Sequence, residues 1–108
     1  MDIQPRVLVV DADAAMLTSV ATVAEEEGFD VRTAVDVASA MRQCRSAYID
    51  LVVIDSRCDG PRPDDLLTSI RILKPSVRAV VVDAPLGPDH LHRLFAQLRA
   101  EAWHDFPS

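Results

Sequence analysis

The sequence predicts one α/β domain in which a parallel β-sheet lies between two layers of helices, a three-layer sandwich. Three short apolar runs each end at an aspartate, and runs of this length and β-branched content are typical of strands buried on both faces. The runs are residues 7–10 before Asp11, 51–54 before Asp55 and 80–82 before Asp83. Stretches with helical periodicity separate them, and this alternation predicts parallel strands joined by right-handed crossovers.

Length and composition limit the possible functions. The chain has 108 residues, of which 49% are hydrophobic, enough for one core and too few for two. We therefore expect a single domain over residues 1–108. A net charge of -6 argues against binding to nucleic acid or to anionic membranes, which requires a basic surface. No apolar run approaches the ~20 residues that span a bilayer, and the N-terminus lacks the pattern of a signal peptide, so we expect a cytoplasmic protein with protein partners.

The first half of the chain alternates strand, helix, strand and helix. After the first strand, Asp13 is a suitable N-cap for a helix that ends at Gly28. Residues 29–34 alternate between apolar and polar side chains, which predicts a more exposed strand at the sheet edge. Apolar residues at helical spacing then mark a second helix: Val37, Met41 and Cys44.

The second half repeats the alternation. A third helix is expected to begin after Pro63 and to close at Pro75, because proline suits the first turn of a helix and cannot continue one. The fourth strand at 80–82 precedes a fourth helix that begins near Pro88. We expect the following segment, residues 102–106 (AWHDF), to add a fifth strand.

Three acidic side chains fall where parallel sheets place their chemistry. Ligands of open parallel sheets bind at the carboxyl ends of the strands, near the point where strand order reverses. Asp11, Asp55 and Asp83 occupy such ends and would converge on one small site. Their repulsion would be costly unless a cation or a proton neutralised it. Each aspartate alone is better explained as a cap or turn residue, but the coincidence of three favours a shared functional site.

These motifs resemble the receiver domains of two-component signalling, which have a flavodoxin-like fold. Residues 6–11 (RVLVVD) look like the first strand of that family with its acidic end, and residues 50–55 (DLVVID) look like the third strand, which ends in the phosphoacceptor. The distance from there to residues 65–67 (DLL) also matches. The resemblance covers nearly the whole chain. It implies a phosphoacceptor position at Asp55 and Mg²⁺ held by Asp11 and Asp55.

Three positions depart from the family's pattern. The acid that follows the first one is replaced by Ala12, so Asp13 becomes a further candidate metal ligand, although capping the first helix is its favoured role. The hydroxyl residue that ends the fourth strand, the switch position, is replaced by Asp83, whose carboxylate would repel a phosphorylated Asp55. The family's lysine precedes a proline after the fifth strand, and the matching residue here is Phe106.

The only lysine of the chain, Lys74, comes at the end of the third helix and too early to replace the missing one. Each departure removes charge stabilisation that phosphoryl transfer requires. We therefore expect an atypical receiver that acts through protein contacts, with weak Mg²⁺ binding and little or no phosphorylation. A working phosphoacceptor receiver that uses Asp55 is the alternative. The expected partners are a histidine kinase or an output protein or domain.

An enzyme is the least favoured interpretation. The motif Asp11-Ala12-Asp13 also fits phosphatases of the haloacid dehalogenase type, in which the first aspartate is the nucleophile and the second an acid or base. That family needs a later lysine and a larger domain, so we expect no enzymatic activity here.

The resemblance also predicts an incomplete helical layer. The family's fifth helix covers one side of the sheet together with the first, and the sequence supplies only the first of these, Asp13 to Glu27. We therefore expect the fifth helix to be missing, the sheet face beside the first helix to be bare, and this apolar face to drive self-association.

Histidine and cysteine give no further site. His90 and His92 are two residues apart and do not share a helix face, so we expect both in solvent. Cys44 and Cys58 lack the spacing of metal ligands and are expected to be reduced thiols.

Overall fold

The structure, a computed structural model, describes residues 4–55, 63–75, 77–82 and 87–104, with the backbone alone at 63, 64 and 102–104. Strands and helices alternate along this part of the chain, as the sequence predicts. The elements are β1 (Arg6–Val10), α1 (Ala14–Glu26), β2 (Asp30–Ala34), α2 (Val37–Ser46), β3 (Leu51–Asp55), α3 (Pro63–Leu73), β4 (Arg78–Val82) and α4 (Pro88–His104). The fold is the predicted flavodoxin-like type.

The four strands form one parallel sheet in the order β2-β1-β3-β4. Strand order reverses at β1, because the chain moves from β1 to β2 on one side and then crosses to β3 on the other. Helices α1 and α4 pack on one face of the sheet and form the α1/α4 layer. Helices α2 and α3 pack on the opposite face and form the α2/α3 layer. The predicted edge position of β2 is confirmed.

Helix α1 has well-defined signals at both ends. Oδ1 of Asp13 accepts hydrogen bonds from the backbone N–H groups of Ala15 and Met16 at 2.9 and 3.2 Å. These N–H groups lie in the first turn, where the helix itself offers them no acceptor. At the other end, Gly28 has φ of 92°, a conformation that disfavours any side chain. A Cβ atom on Gly28 would also lie only 2.9 Å from Cζ of Arg99, and this flexible side chain would have to move, so the positive φ is the main reason for glycine there.

Apolar packing holds α4 against α1 and the sheet. The rings of Phe29 and Phe95 meet edge to face with centroids 5.6 Å apart, a geometry that aromatic pairs favour. Phe95 is fully buried. The buried residues of this layer are Val7, Val9, Leu17, Val20, Val23, Ala24, Phe29, Leu51, Val53, Leu91, Phe95 and Leu98.

The α2/α3 layer contains the other core and one buried thiol. Cys44 lies with no exposed surface among apolar side chains, and this burial raises the pKa of the Cys44 thiol. The buried residues of the layer are Leu8, Val10, Ala34, Ala40, Cys44, Ile49, Val52, Ile54, Leu66, Ile70 and Val77.

Two expectations about the end of the chain are wrong. The fifth strand expected over 102–106 does not form at 102–104, because α4 continues to His104; residues 105 and 106 lie outside the described part. The sheet face beside α1 is not bare, since Leu91, Phe95 and Leu98 of α4 cover it. Helix α4 therefore provides the cover that the family resemblance assigned to a fifth helix.

Strand β4 is less buried than its sequence suggested. A run of valines predicted a strand covered on both faces, but four of its five residues are half-buried and Arg78 is exposed. The reason is its position, since β4 is the outermost strand among the described residues. In the described part of the chain, no helix is both long and apolar enough to cross a membrane.

Replacing Phe95 by alanine tests the packing of α4. Phe95→Ala should lower the free energy of unfolding by about 3–5 kcal/mol, because it removes a fully buried ring and leaves a cavity. Urea unfolding followed by circular dichroism measures the change. Arg93→Ala, on the exposed side of the same helix, is the control and should stay within about 0.5 kcal/mol of the parent. Equal losses for both variants would mean that α4 does not hold the core together.

The thiol of Cys44 gives a second test of the core. In a Cys58→Ser background, Cys44 is the only thiol, and its burial and raised pKa should make it react with iodoacetamide far more slowly in the folded chain than in urea. The folded state keeps the Cys44 thiol protonated. The contribution of this thiol to the free energy of unfolding is therefore complete at pH values below the pKa of the thiol in the unfolded chain, and it falls as the pH rises above that pKa. Rapid native alkylation at neutral pH would show that the α2/α3 layer opens readily.

Candidate functional site

Asp11 and Asp55 lie side by side at the carboxyl ends of two neighbouring strands. Val10 pairs with Ile54 in the sheet, and each aspartate directly follows one member of this pair. Adjacent strands are about 4.8 Å apart, so the two carboxylates enter the same space. This edge is also where strand order reverses, the position at which open parallel sheets bind ligands.

An open cleft lies above the two carboxylates. It has a volume of about 280 Å³ and is lined by Asp11, Ala12, Asp13 and Asp55. Beneath it is an apolar pocket of about 20 Å³, room for about one water molecule. Met16, Val82 and Leu91 contribute to the walls of this lower pocket. The acids therefore have solvent on one side and hydrocarbon on the other.

The carboxylate of Asp11 is held by the backbone that follows it. Asp11 is only 4% exposed, and its Oδ1 accepts the backbone N–H of Asp13 at 2.9 Å. The backbone N–H of Asp11 donates to the carbonyl oxygen of Ala34 at 3.1 Å. A hydrogen bond to a buried carboxylate offsets part of the cost of removing it from water, so the turn after β1 fixes Asp11 in the cleft floor.

Asp13 lines the cleft but has a structural task. The same oxygen, Oδ1, accepts both backbone N–H groups at the start of α1. A carboxylate in this position also interacts favourably with the helix dipole. Turning Oδ1 of Asp13 toward a metal would remove the cap, which typically costs about 1 kcal/mol.

The donor set suits a loosely held divalent cation. Carboxylate oxygens are the ligands that Mg²⁺ prefers, and this ion keeps several of its waters when few protein ligands are present. Asp11 and Asp55 would hold it, and when bound it would neutralise the charge of phosphoryl oxygens. The side chain of Ala12 has no ligand atom, and within the described ranges no three His, Cys, Asp or Glu side chains come together as a metal site.

Two of the positions singled out from the sequence lie outside the described residues. Asp83 directly follows Val82, which pairs with Asp55 in the sheet, but its own placement is not described. Phe106 comes two residues after the end of α4 at His104 and is likewise outside. The expectation that Asp83 repels Asp55 stays a prediction.

Lys74 lies at the end of the sheet opposite to Asp55. The backbone N–H of Val77 donates to the carbonyl oxygen of Lys74 at 3.1 Å, and Arg78, the next residue, pairs with Leu51 at the start of β3. Asp55 is the last residue of that five-residue strand, which spans about 13 Å. The only lysine of the chain therefore stays away from the cleft.

The structure brings together a histidine and two glutamates that the sequence did not connect. Nδ1 of His92 lies 2.9 Å from Oε1 of Glu27, and Nε2 lies 3.1 Å from Oε2 of Glu26. These contacts link α4 to the end of α1. His92 was expected in solvent because His90 and His92 do not share a face. The two histidines do lie on different faces of α4, but nothing in the sequence showed that α4 would pack beside α1 and bring His92 to the glutamates.

Comparison with known proteins identifies the family. The family model for the response regulator receiver domain matches residues 7–101. The chain belongs to the response regulator receiver family. Receiver domains are in general signalling modules without enzymatic activity of their own, and they typically bind Mg²⁺ at the site of phosphorylation.

The chain is similar to parts of longer curated regulators. It is 35% identical over 83 residues to the alginate biosynthesis transcriptional regulatory protein AlgB of Pseudomonas putida, covering 77% of this chain and 18% of that protein. It is 34% identical over 85 residues to the transcriptional regulatory protein PrrA of Mycobacterium leprae, covering 79% of this chain and 36% of that protein. The receiver thus spans about a fifth to a third of these relatives.

Solved structures agree on the fold of the receiver. The response regulator receiver domain protein of Methanospirillum hungatei superimposes with a TM-score of 0.79 at 18% identity, covering 96% of this chain and 100% of that one. The chemotaxis response regulator CheY4 of Vibrio cholerae gives a TM-score of 0.80 at 15% identity, and the superposition covers 89% of this chain and 99% of that one. At these identities the similarity concerns the fold alone.

Restoring an acid at position 12 should tighten metal binding. Ala12→Asp adds a fourth carboxylate to the cleft, and a third that does not cap α1. We expect at least about tenfold tighter Mg²⁺ binding, about 1.4 kcal/mol. Without metal the same variant should be less stable than the parent, because like charges then lie close together. Backbone NMR shifts in a Mg²⁺ titration measure the affinity, and urea unfolding measures the stability.

Ala15→Asp is the matched control for this variant. It adds the same charge in the first turn of α1 but outside the residues that line the cleft. Its Mg²⁺ affinity should equal that of the parent. Tight binding by the parent itself, unchanged by Ala12→Asp, would show that another group already supplies the missing ligand.

Proposed function

We propose that this receiver is atypical and passes its signal through protein contacts, with little or no phosphorylation at Asp55. The observation that carries the proposal is the position of Lys74, the only lysine, at the opposite end of the sheet. Phosphoryl transfer places extra negative charge on a carboxylate, and a cation near the transferred group stabilises that charge. Lysine cannot supply this cation at Asp55.

The metal side of the cleft supports the same proposal. Mg²⁺ would have Asp11 and Asp55 as ligands, with Ala12 in place of a third carboxylate and Asp13 engaged in capping α1. A weakly held ion neutralises the phosphoryl oxygens only at high Mg²⁺ concentration. Transfer to Asp55 would therefore lack both of the charges that assist it.

The alternative is a working phosphoacceptor receiver. Its support is the pairing that places Asp11 beside Asp55 in an open cleft, because a half-exposed aspartate next to a candidate metal ligand is accessible to a phosphodonor. Such a receiver would need a cation from another source, for example from its partner.

The proposed partners are a histidine kinase or an output domain or protein. The relatives AlgB and PrrA carry the name transcriptional regulatory protein, and this chain matches only a part of each. We infer that it serves as the signal-receiving part of a comparable system in the cytoplasm. With a net charge of -6, contact with DNA would fall to other parts of such a system.

Beryllofluoride, which mimics a phosphoryl group on a carboxylate, separates the two functions. We expect no beryllofluoride signal from the bound state in ¹⁹F NMR with the parent chain and Mg²⁺, because the charges that hold the mimic are missing. Acetyl phosphate should likewise give no increase in mass. Stoichiometric binding by the parent that is lost in Asp55→Asn would establish the phosphoacceptor function instead.

The Ala12→Asp variant makes a negative result informative. If weak Mg²⁺ binding is one cause of inactivity, this variant should bind beryllofluoride better than the parent at equal Mg²⁺ concentration. Ala12→Asp combined with Asp55→Asn should again show no binding. This comparison distinguishes a chain that lacks stabilising charge from one whose cleft is closed.

A further inference from the structure

The outer edge of β4 presents backbone groups that pair with no described residue. The backbone N–H of Arg78 donates to the carbonyl oxygen of Asp50 at 3.2 Å, so Arg78 points its backbone groups toward β3. In a parallel strand, alternate residues direct both groups to the same neighbour. The N–H and C=O groups of Ala79 and Val81 therefore point away from β3, where the described sheet ends.

This edge lacks the features that normally prevent pairing. Natural edge strands carry charges, prolines or bulges that block another strand from adding. Strand β4 reads RAVVV, and its one charge, Arg78, forms an ion pair of 2.7 Å with Glu101 of α4. The other outer strand, β2, reads DVRTA, with Arg32 and Thr33 exposed. Of these two edges, the β4 edge is therefore less protected against pairing with another strand.

The handedness of the crossovers argues against a later strand of the same chain at this edge. The crossover from β1 to β2 passes through α1, and the crossover from β3 to β4 passes through α3. These two crossovers run in opposite directions across the sheet and use opposite layers, so they have the same handedness. Helix α4 lies in the α1/α4 layer. A parallel strand that followed α4 and lay outside β4 would need the opposite hand, which about 2% of such connections show.

We propose that a second copy of this chain adds to the sheet through antiparallel pairing of β4 with β4. Centred on Val80, this pairing places Ala79 of each copy opposite Val81 of the other. All four outward N–H groups of these residues then donate to the four outward carbonyl oxygens across the two-fold axis. The paired strands join two four-stranded sheets into one continuous sheet of eight.

Charge and size predict how the dimer responds to conditions. Each copy carries a net charge of -6, so repulsion opposes association, and salt, which screens it, should tighten the dimer. One five-residue strand buries less surface than a standard stable interface. The dimer should accordingly form in the micromolar to millimolar range of concentration.

A proline at position 81 tests the pairing directly. Val81→Pro removes an N–H that points away from β3, so it keeps every bond of the parallel ladder, and proline is tolerated at such edge positions. Sedimentation velocity at increasing concentration should show a monomer-dimer equilibrium for the parent chain and a monomer for this variant. Circular dichroism checks that the variant is folded.

Thr33→Pro is the matched control on the opposite edge. The N–H of Asp30 donates to the carbonyl oxygen of Pro5 in the direction of β1, so the N–H of Thr33 points outward, as that of Val81 does. This variant should dimerise like the parent. If Val81→Pro does not fold, Val81→Lys replaces it, because a lysine on the edge blocks pairing and keeps the backbone.

Three results would overturn the proposal. A folded parent chain that stays monomeric at about 1 mM, where even weak complexes with dissociation constants of that size are half formed, has no such interface. A dimer that survives both Val81 variants forms elsewhere. A dimer lost only in Thr33→Pro uses the β2 edge. The β4 pairing is supported by a dimer whose association strengthens as the salt concentration rises and that is lost in Val81→Pro but kept in Thr33→Pro.

Discussion

A parallel sheet must be covered on both faces, and the fold of this receiver depends on how that requirement is met. Every residue of β1 from Val7 to Val10 is buried, so neither face can remain open to water. Helix α4 meets the requirement on one face by packing against α1 through Phe95. This arrangement also builds the site, because Leu91 of α4 and Val82 of β4 line the apolar pocket beneath Asp11.

The turn after β1 couples the site to the fold. Asp11 accepts the backbone N–H of Asp13, and Asp13 accepts the N–H groups that begin α1. A single turn therefore holds a buried carboxylate and starts the helix that covers the sheet. Ala12 lies between the two aspartates and lines the cleft, and its side chain takes part in neither interaction. A substitution at position 12 can therefore change the charge of the cleft without removing a side chain that accepts these hydrogen bonds.

Local sequence patterns predicted the elements well and their packing only in part. The aspartate at 13, the glycine at 28 and the prolines at 63 and 88 marked helix ends correctly, because caps and breakers act within one turn. The apolar runs gave the strands and the order of the chain. Which face α4 covers could not be predicted, since the spacing of Leu91, Phe95 and Leu98 is the same on either face. The error about the fifth strand concerns the length of α4, which continues to His104. The error about the bare face follows from the face that α4 covers. The contacts of His92 were missed for the same reason.

The direction of α4 determines where a lysine could act in this receiver. The helix begins near the cleft, where Leu91 lines the lower pocket, and Glu101 near its other end contacts Arg78 at the start of β4. Seventeen helical residues span about 25 Å, so the described chain leaves α4 at the end of the sheet opposite to Asp55. Lys74 lies at that same end. Because a lysine side chain reaches only a few ångströms, Lys74 cannot pair with Asp55. A partner that brought a cation to the cleft would make the occupancy of the cleft depend on protein contact.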